Sequence, residues 1–209
     1  MSGEEDAPRL YLVTPDLGPR AALDAEAFAP RLAGAVETGL VACVRLDLAA
    51  AEEEDWVRAV NHLLPVCHGA DVPLVVAERH DLVERLGLDG VHLVRSGASI
   101  RELRRSLGND RIIGAHGGAE RHRAMTLAEA GADYVSLGPV AAEDGRAAAD
   151  AALFQWWSEM IETPVVAEGG VSLEHARALA AFTDFAVPDP EAVWADPAGA
   201  LPAYAAALA

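Results

Sequence analysis

The apolar residues of this 209-residue chain fall into short runs separated by longer segments of mixed character. The runs are Leu10–Val13, Leu40–Val44, Pro73–Ala77, Gly90–Leu93, Ile112–Ala115, Tyr134–Leu137, Pro164–Ala167 and Asp184–Val187. Each is rich in Val, Ile or Leu and lacks clean apolar–polar alternation, as a strand buried on both faces does. Between them, amphipathic periodicity predicts helices over Glu26–Thr38, Ala51–Leu64, His80–Leu86, Ser99–Leu107, Ala119–Gly131, Ala147–Ile161 and Leu173–Ala181, and in the tail from Glu191. Gly39, Gly87, Gly108 and Gly131 close several of these helices, and Pro197 and Pro202 are expected to break the last one. Eight strand–helix units in one chain of this length predict an α/β protein, a single compact (β/α)8 TIM barrel spanning residues 1–209. An open nucleotide-binding sheet would carry GxGxxG after its first strand, and LYLVTPDLGPR contains no such turn.

Charge narrows the chemistry. The formal net charge is -17, all 16 basic residues are arginine, and lysine is absent. Lysine Schiff-base chemistry and a P-loop lysine are therefore excluded. An acidic chain also repels phosphate backbones and anionic lipid, so neither nucleic acid nor a membrane surface is an expected partner. Cys43 and Cys67 lie too far apart in sequence for a CxxC motif. The start, MSGEEDAPRL, lacks the basic and apolar regions of a signal peptide, and no apolar stretch has the length of a membrane span. The expectation is a cytoplasmic protein with reduced thiols.

In such a barrel the active site lies at the C-terminal ends of the strands. Those ends carry Thr14; Arg45 and Asp47; Glu78, Arg79 and His80; His92 and Arg95; His116, Gly117 and Gly118; Ser136, Gly138 and Pro139; Glu168, Gly169 and Gly170; and Pro188 and Asp189. The Gly169–Gly170 pair reads two ways. It is a phosphate cradle, because glycine lets backbone N–H groups approach oxygens, or a turn into a helix capped by Ser172.

In order along the chain, LYLVTP, CVRLD, VVAERHDLVERLGLDGVHL, RIIGAH, AGADYVSLGPV and PVVAEGGV match the landmarks of thiamine-phosphate synthases. The chain resembles that family from Leu10 to Val187. The resemblance implies a barrel enzyme that joins hydroxymethylpyrimidine pyrophosphate to thiazole phosphate. It places Arg45 and Arg79 at the pyrophosphate as catalytic residues. Gly169 and Gly170 fall at the thiazole phosphate and Gly138 in the floor; His116, near but not at a matching loop position, is taken as substrate-binding, and Glu78, where the family has Asp, as a ligand to Mg²⁺. Ionising a benzylic-type C–O bond requires the departing pyrophosphate to be stabilised, which bidentate guanidinium groups and Mg²⁺ do. The implied partner is a small phosphorylated metabolite, and self-association into a homo-oligomer is left open.

Several positions depart from the family pattern. Gln-x-Arg-x-Lys on the second strand is here Cys43-Val-Arg45-Leu-Asp47, and Asn-Asp-Arg after the third is Ala77-Glu78-Arg79. The metal-binding Asp after the fourth strand becomes Gly97, and the Ser-Thr-His-Thr-type loop becomes His116-Gly-Gly-Ala. The loop expected to carry Thr and Lys reads Ala-Ala-Glu143-Asp144-Gly-Arg146. Two unit charges about 4 Å apart interact by roughly 4 kcal/mol at a surface-like dielectric, so Glu168 is expected to oppose phosphate unless paired. These departures point to a diverged family member with reduced or altered catalysis. The alternatives are an active synthase and a thiazole tautomerase-like acid–base enzyme using groups such as His116. His92 is read as a hydrogen-bonded structural residue, and Trp156 and Trp157 as packing the sixth helix on the barrel or on a partner subunit.

Overall fold

Alternate residues of each strand face two different cores, which explains why the strands show no polar side in the sequence. In the computed structural model, residues 8–15, 21–48, 51–95, 98–142 and 147–209 are described, with residues 21–24 described by backbone alone. The strands are β1 (Arg9–Val13), β2 (Val41–Leu46), β3 (Leu74–Ala77), β4 (Gly90–Leu93), β5 (Ile112–Gly118), β6 (Tyr134–Leu137), β7 (Val165–Val171) and β8 (Phe185–Pro188). All neighbours are parallel, and β1 pairs with both β2 and β8, closing the barrel. On the outer face Leu10, Leu12, Leu74, Val76, Ile113 and Val135 pack under the helices. On the inner face Tyr11, Cys43, Val75, Tyr134, Val166 and Val187 fill the barrel. Gly114 makes room for one of these: a Cβ there would lie 2.1 Å from Cζ of Tyr134.

The helices are α1 (Ala21–Val36), α2 (Glu53–His68), α3 (Val83–Leu86, entered through a 3-10 turn at His80–Leu82), α4 (Ile100–Leu107), α5 (Arg121–Glu129), α6 (Ala151–Met160), α7 (Leu173–Leu179), α8 (Pro190–Ala195) and α9 (Pro197–Leu208). Pro197 separates α8 from α9 as expected, but Pro202 does not break α9. Pro65, one residue past the predicted end of its helix, likewise lies inside α2, and Pro30 lies inside α1. All three prolines are exposed, and so are Glu26, Asn61 and Ala198, four residues earlier. The carbonyl that each proline leaves without an intrahelical donor therefore belongs to a solvent-facing residue, where water can serve it.

Two strands run further than their apolar runs. β5 continues through Gly117–Gly118, with a register shift against β6 between His116 and Gly118. β7 continues through Gly169–Gly170 to Val171, with a shift against β8 between Ala167 and Val171. Gly118, Gly169 and Gly170 take φ of +69°, +80° and +74°, which L side chains rarely adopt.

At the opposite, N-terminal end of the barrel one arrangement recurs three times. Asp89, Asp133 and Asp184 each precede an even strand, and each carboxylate accepts a backbone N–H from the odd strand before it. The donors are Leu74, Ile113 and Val165, every one at 2.7 Å. The aspartate N–H groups donate back to the carbonyls of the same three residues. Both cysteines are buried and free; burial pushes their thiols up, Cys67 to about 12, so neither is a nucleophile near neutral pH.

Candidate active site

Above the apolar plug, toward the C-terminal ends of the strands, the barrel interior turns polar. Arg45 on β2, His92 on β4, Ser136 on β6 and Glu168 on β7 are all buried. Arg45 Nη1 donates to Glu168 Oε2 at 2.9 Å, and His116 Nδ1 on β5 lies 2.7 Å from Glu168 Oε1. Ser136 Oγ is 3.0 Å from the same ring nitrogen. Burial by itself would raise the Glu168 carboxyl, but the Arg45 charge and the His116 hydrogen bond hold it well below the usual carboxylate range. Burial would lower the Arg45 guanidinium, and Glu168 together with Tyr11, Tyr134 and Asp47 more than compensates. Both groups are therefore charged, and the carboxylate expected to oppose phosphate is paired.

A second chain lies beneath. The Tyr11 and Tyr134 hydroxyls are 2.7 Å apart, and the Tyr134 hydroxyl is 2.9 Å from His92 Nδ1. The Tyr134 and His92 rings stack with centroids 5.5 Å apart. Burial, reinforced by Arg45, pushes His92 well below its ordinary value, so its ring is neutral. His92 is thus the hydrogen-bonded structural residue the sequence indicates. Trp157 is also buried, its indole donating to the Thr163 carbonyl, while Trp156 lies against the Arg121 guanidinium.

Two cavities open at this end. The larger, of 600 Å³, is lined by Val94, Arg95, His116, Gly118, Ala119, Glu120, Arg123, Gly138, Pro139, Ala147, Glu168 and Gly169. The smaller, of 290 Å³, is lined by Val13, Thr14, Asp47, Ala77, Glu78, Val94 and Arg95. Val94 and Arg95 belong to both, forming the wall between them. Glu78, at φ +64°, points its carboxylate back over β4, where Oε1 accepts the Val94 N–H at 2.8 Å and the Arg95 N–H. Thr14 Oγ1 accepts the Asp47 N–H at 3.1 Å. Among the described residues no set of three His, Cys, Asp or Glu side chains is arranged to hold a metal.

The structure brings His116, Gly138 and Gly169 together on the larger cavity and Glu78 onto the smaller. Arg45 stands behind Glu168 and is absent from both linings. Arg79 is also outside both: its guanidinium grips Asp81 at 2.9 and 2.7 Å and lies 3.7 Å from Glu53. Gly170 turns toward α7, its carbonyl 3.0 Å from Nδ1 of His175, and Ser172 caps that helix by accepting the His175 N–H. Gly138 packs against the β7 backbone, where a Cβ would lie 2.1 Å from the Glu168 carbonyl oxygen. Gly97 and residues 143–146 lie outside the described residues.

Sequence reasoning gave Arg95 no role and missed Arg123. Both are exposed, line the larger cavity, and make no ion pair among the described residues. The available signal for Arg123 was its place in the first turns of the helix that follows the β5 loop.

Fold and site together define a class: a closed (β/α)8 barrel with a charged, two-cavity site at the C-terminal ends of its strands. Residues 10–185 match the family described as thiamine monophosphate synthase. The chain is 43% identical over 201 residues to the thiamine-phosphate synthase of Rhodospirillum centenum, covering 94% of each chain. To the thiamine-phosphate synthase of Erythrobacter litoralis it is 34% identical over 219 residues, covering 100% of this chain and 99% of the relative. A solved structure, the thiamine phosphate pyrophosphorylase from Pyrococcus furiosus, superposes with a TM-score of 0.76 at 22% identity, covering 99% of this chain and 96% of that one. The chain belongs to the thiamine monophosphate synthase family. Among the described residues no helix is long and apolar enough to cross a membrane.

Proposed function

We propose that this chain is an active thiamine-phosphate synthase, joining hydroxymethylpyrimidine pyrophosphate to thiazole phosphate, in place of the diverged, weakened member that the sequence departures indicate. Full-length relatives bearing that name at 43% and 34% identity support this reading over lost chemistry. The observation that carries it is a pair of adjoining cavities that share Val94 and Arg95, which gives room for two substrates side by side.

The reaction breaks the C–O bond between the pyrimidine methylene and pyrophosphate. The bonding pair leaves with pyrophosphate, and the thiazole nitrogen lone pair forms the new C–N bond. Arg95, exposed on the shared wall, is positioned to hold pyrophosphate oxygens through charge-assisted hydrogen bonds. We assign it this contact because Arg79 is held by Asp81. Arg123, also lining the larger cavity, supplies a second cation for phosphate, and Gly138 and Gly169 shape the floor. Gly170 supports the turn that places Gly169, and Arg45 acts through Glu168.

Asp47 and Glu78 line the smaller cavity, and both carry hard oxygen donors. Mg²⁺ is commonly held by one or two carboxylates completed by substrate phosphates, so this donor set fits it without a third protein ligand. Bound there, it would supply charge neutralisation to the departing pyrophosphate.

Thiamine phosphate formation from the two substrates with Mg²⁺, followed chromatographically, tests the reading. Arg95→Ala is expected to lower kcat/KM about ten-fold or more, the loss of one charged hydrogen-bonding partner. No product from the folded protein with both substrates saturating overturns the assignment. The His116–Glu168 contact favours a second reading, a thiazole tautomerase-like acid–base reaction. Thiazole phosphate alone would then exchange a carbon-bound proton with D₂O, and His116→Ala would stop the exchange.

A further inference from the structure

His116 Nδ1 and Glu168 Oε1 are 2.7 Å apart, and two lone pairs cannot face each other at that distance. A proton must lie between them. On the carboxyl it would leave Arg45, 2.9 Å from the other oxygen and itself buried, against a neutral acid. Removing one partner of a buried pair in this way is strongly unfavourable. The proton therefore belongs to the imidazole, with Glu168 ionised.

That assignment fixes which ring nitrogen meets the ligand. Nδ1 is committed to Glu168, with Ser136 Oγ beside it at 3.0 Å. Among the described residues Nε2 has no hydrogen-bond partner and, unlike His92 Nε2, is not an enclosed orphan. Since His116 lines the larger cavity, its free ring edge opens there.

We propose that Glu168 is a positioning residue: held ionised by Arg45, it locks His116 in the Nδ1–H form and so presents Nε2 to the ligand of the larger cavity. In the neutral ring Nε2 is an acceptor, suited to an N–H or O–H group on a heteroaromatic substrate and unsuited to a bare phosphate oxygen. The division of labour follows. Arg95 and Arg123 address phosphates, and His116 addresses the ring that carries them. The ligand's identity here rests on the synthase reading, whereas the state of the imidazole does not. The pair joins β5 to β7, which β6 alone separates in the barrel.

Two-bond proton–nitrogen correlation spectra of the histidine rings report the tautomer directly, and a His116→Ala sample identifies the His116 signals. With the pH raised until any imidazolium signal is gone, the full chain is expected to show Nδ1 protonated and Nε2 pyridine-like, with Nε2 shifting when hydroxymethylpyrimidine pyrophosphate or thiazole phosphate is added. Glu168→Gln, which keeps the size of the side chain, is expected to lose the single tautomer and to lower kcat/KM about ten-fold. An Nε2–H tautomer in the unmodified protein overturns the proposal, as does an Nε2 signal that neither substrate moves. Because the unmodified protein's spectrum decides the tautomer, a Glu168→Gln chain that fails to fold does not leave the matter open. Turnover, measured on the same samples, is a separate readout. Its absence would overturn the synthase reading, while the tautomer judges Glu168 either way.

Discussion

At position 168 one carboxylate stands between an arginine and a histidine, and each of its oxygens has a separate task. The residue below the pair, His92, shows what the same field does to a group without an acid. Its ring is enclosed and faces the Arg45 charge, so it stays neutral in the folded protein. The unfolded chain has no such constraint and takes up a proton below about pH 6.5. The folded value being depressed, the stabilisation is complete above that pH and is lost as pH falls toward the folded value, by up to about 1.4 kcal/mol per pH unit. In His92→Asn, which keeps a hydrogen-bonding atom for the Tyr134 hydroxyl, this loss disappears. The unfolding free energies of the two proteins, from denaturant titrations, should therefore converge from about pH 7 to about pH 5. Parallel curves would refute the neutral-ring assignment. None of this was legible from His92 alone, because the groups that decide its state come from three other strands.

Single elements were far more readable. Each expected strand is present, and the mismatches concern where elements end: β5 and β7 continue through their glycines, and prolines sit inside α1, α2 and α9. Both have one cause. An apolar-run criterion sees side chains, whereas these features depend on which backbone groups face water or shift register. The three aspartates before β4, β6 and β8 are a further case. Their sequence neighbours look like ordinary turns, yet each carboxylate is the acceptor for the start of another strand. Asp184 gives the cleanest test, since Asp89 and Asp133 also meet His68 and Arg104. Asp184→Ala leaves the buried Val165 N–H without its carboxylate acceptor and should cost about 1–3 kcal/mol in urea unfolding. Asp184→Asn, which retains an acceptor, should cost less. Equal midpoints for all three proteins would show that the contact does not stabilise the barrel.

For the whole molecule, a formal charge of -17 means that folding gathers an excess of negative charge into a smaller volume. Surface ion pairs such as Arg85–Glu53 and Arg111–Glu84 offset little of this, because exposed pairs contribute about 0–1 kcal/mol each. Screening of the repulsion should raise Tm as salt increases from about 0.01 to about 0.15 M, where the Debye length shrinks from about 30 to about 8 Å. A falling Tm would mean that attractive pairs dominate instead. The absence of lysine has a related consequence at the site, where arginine is the one permanently cationic side-chain type the chain can supply.

The sequence by itself determined the strand–helix alternation, the closed barrel and the family, and it pointed to the C-terminal strand ends as the candidate site. Those properties follow from local periodicity and from motifs contiguous in the chain. It also identified Arg45, Glu78, His116, Gly138 and Gly169 as residues of that end. Only the tertiary structure decided what they do to one another. It paired Glu168 with Arg45 across 123 positions of sequence, turned Arg79 to Asp81, and set Arg95 in the wall between two cavities. The physical reason is that charge, tautomer and access at a buried site depend on distances of 3 Å or less between side chains from different strands, such as the 2.7 and 2.9 Å contacts of Glu168. Barrel closure sets those distances, and no spacing along the chain records them.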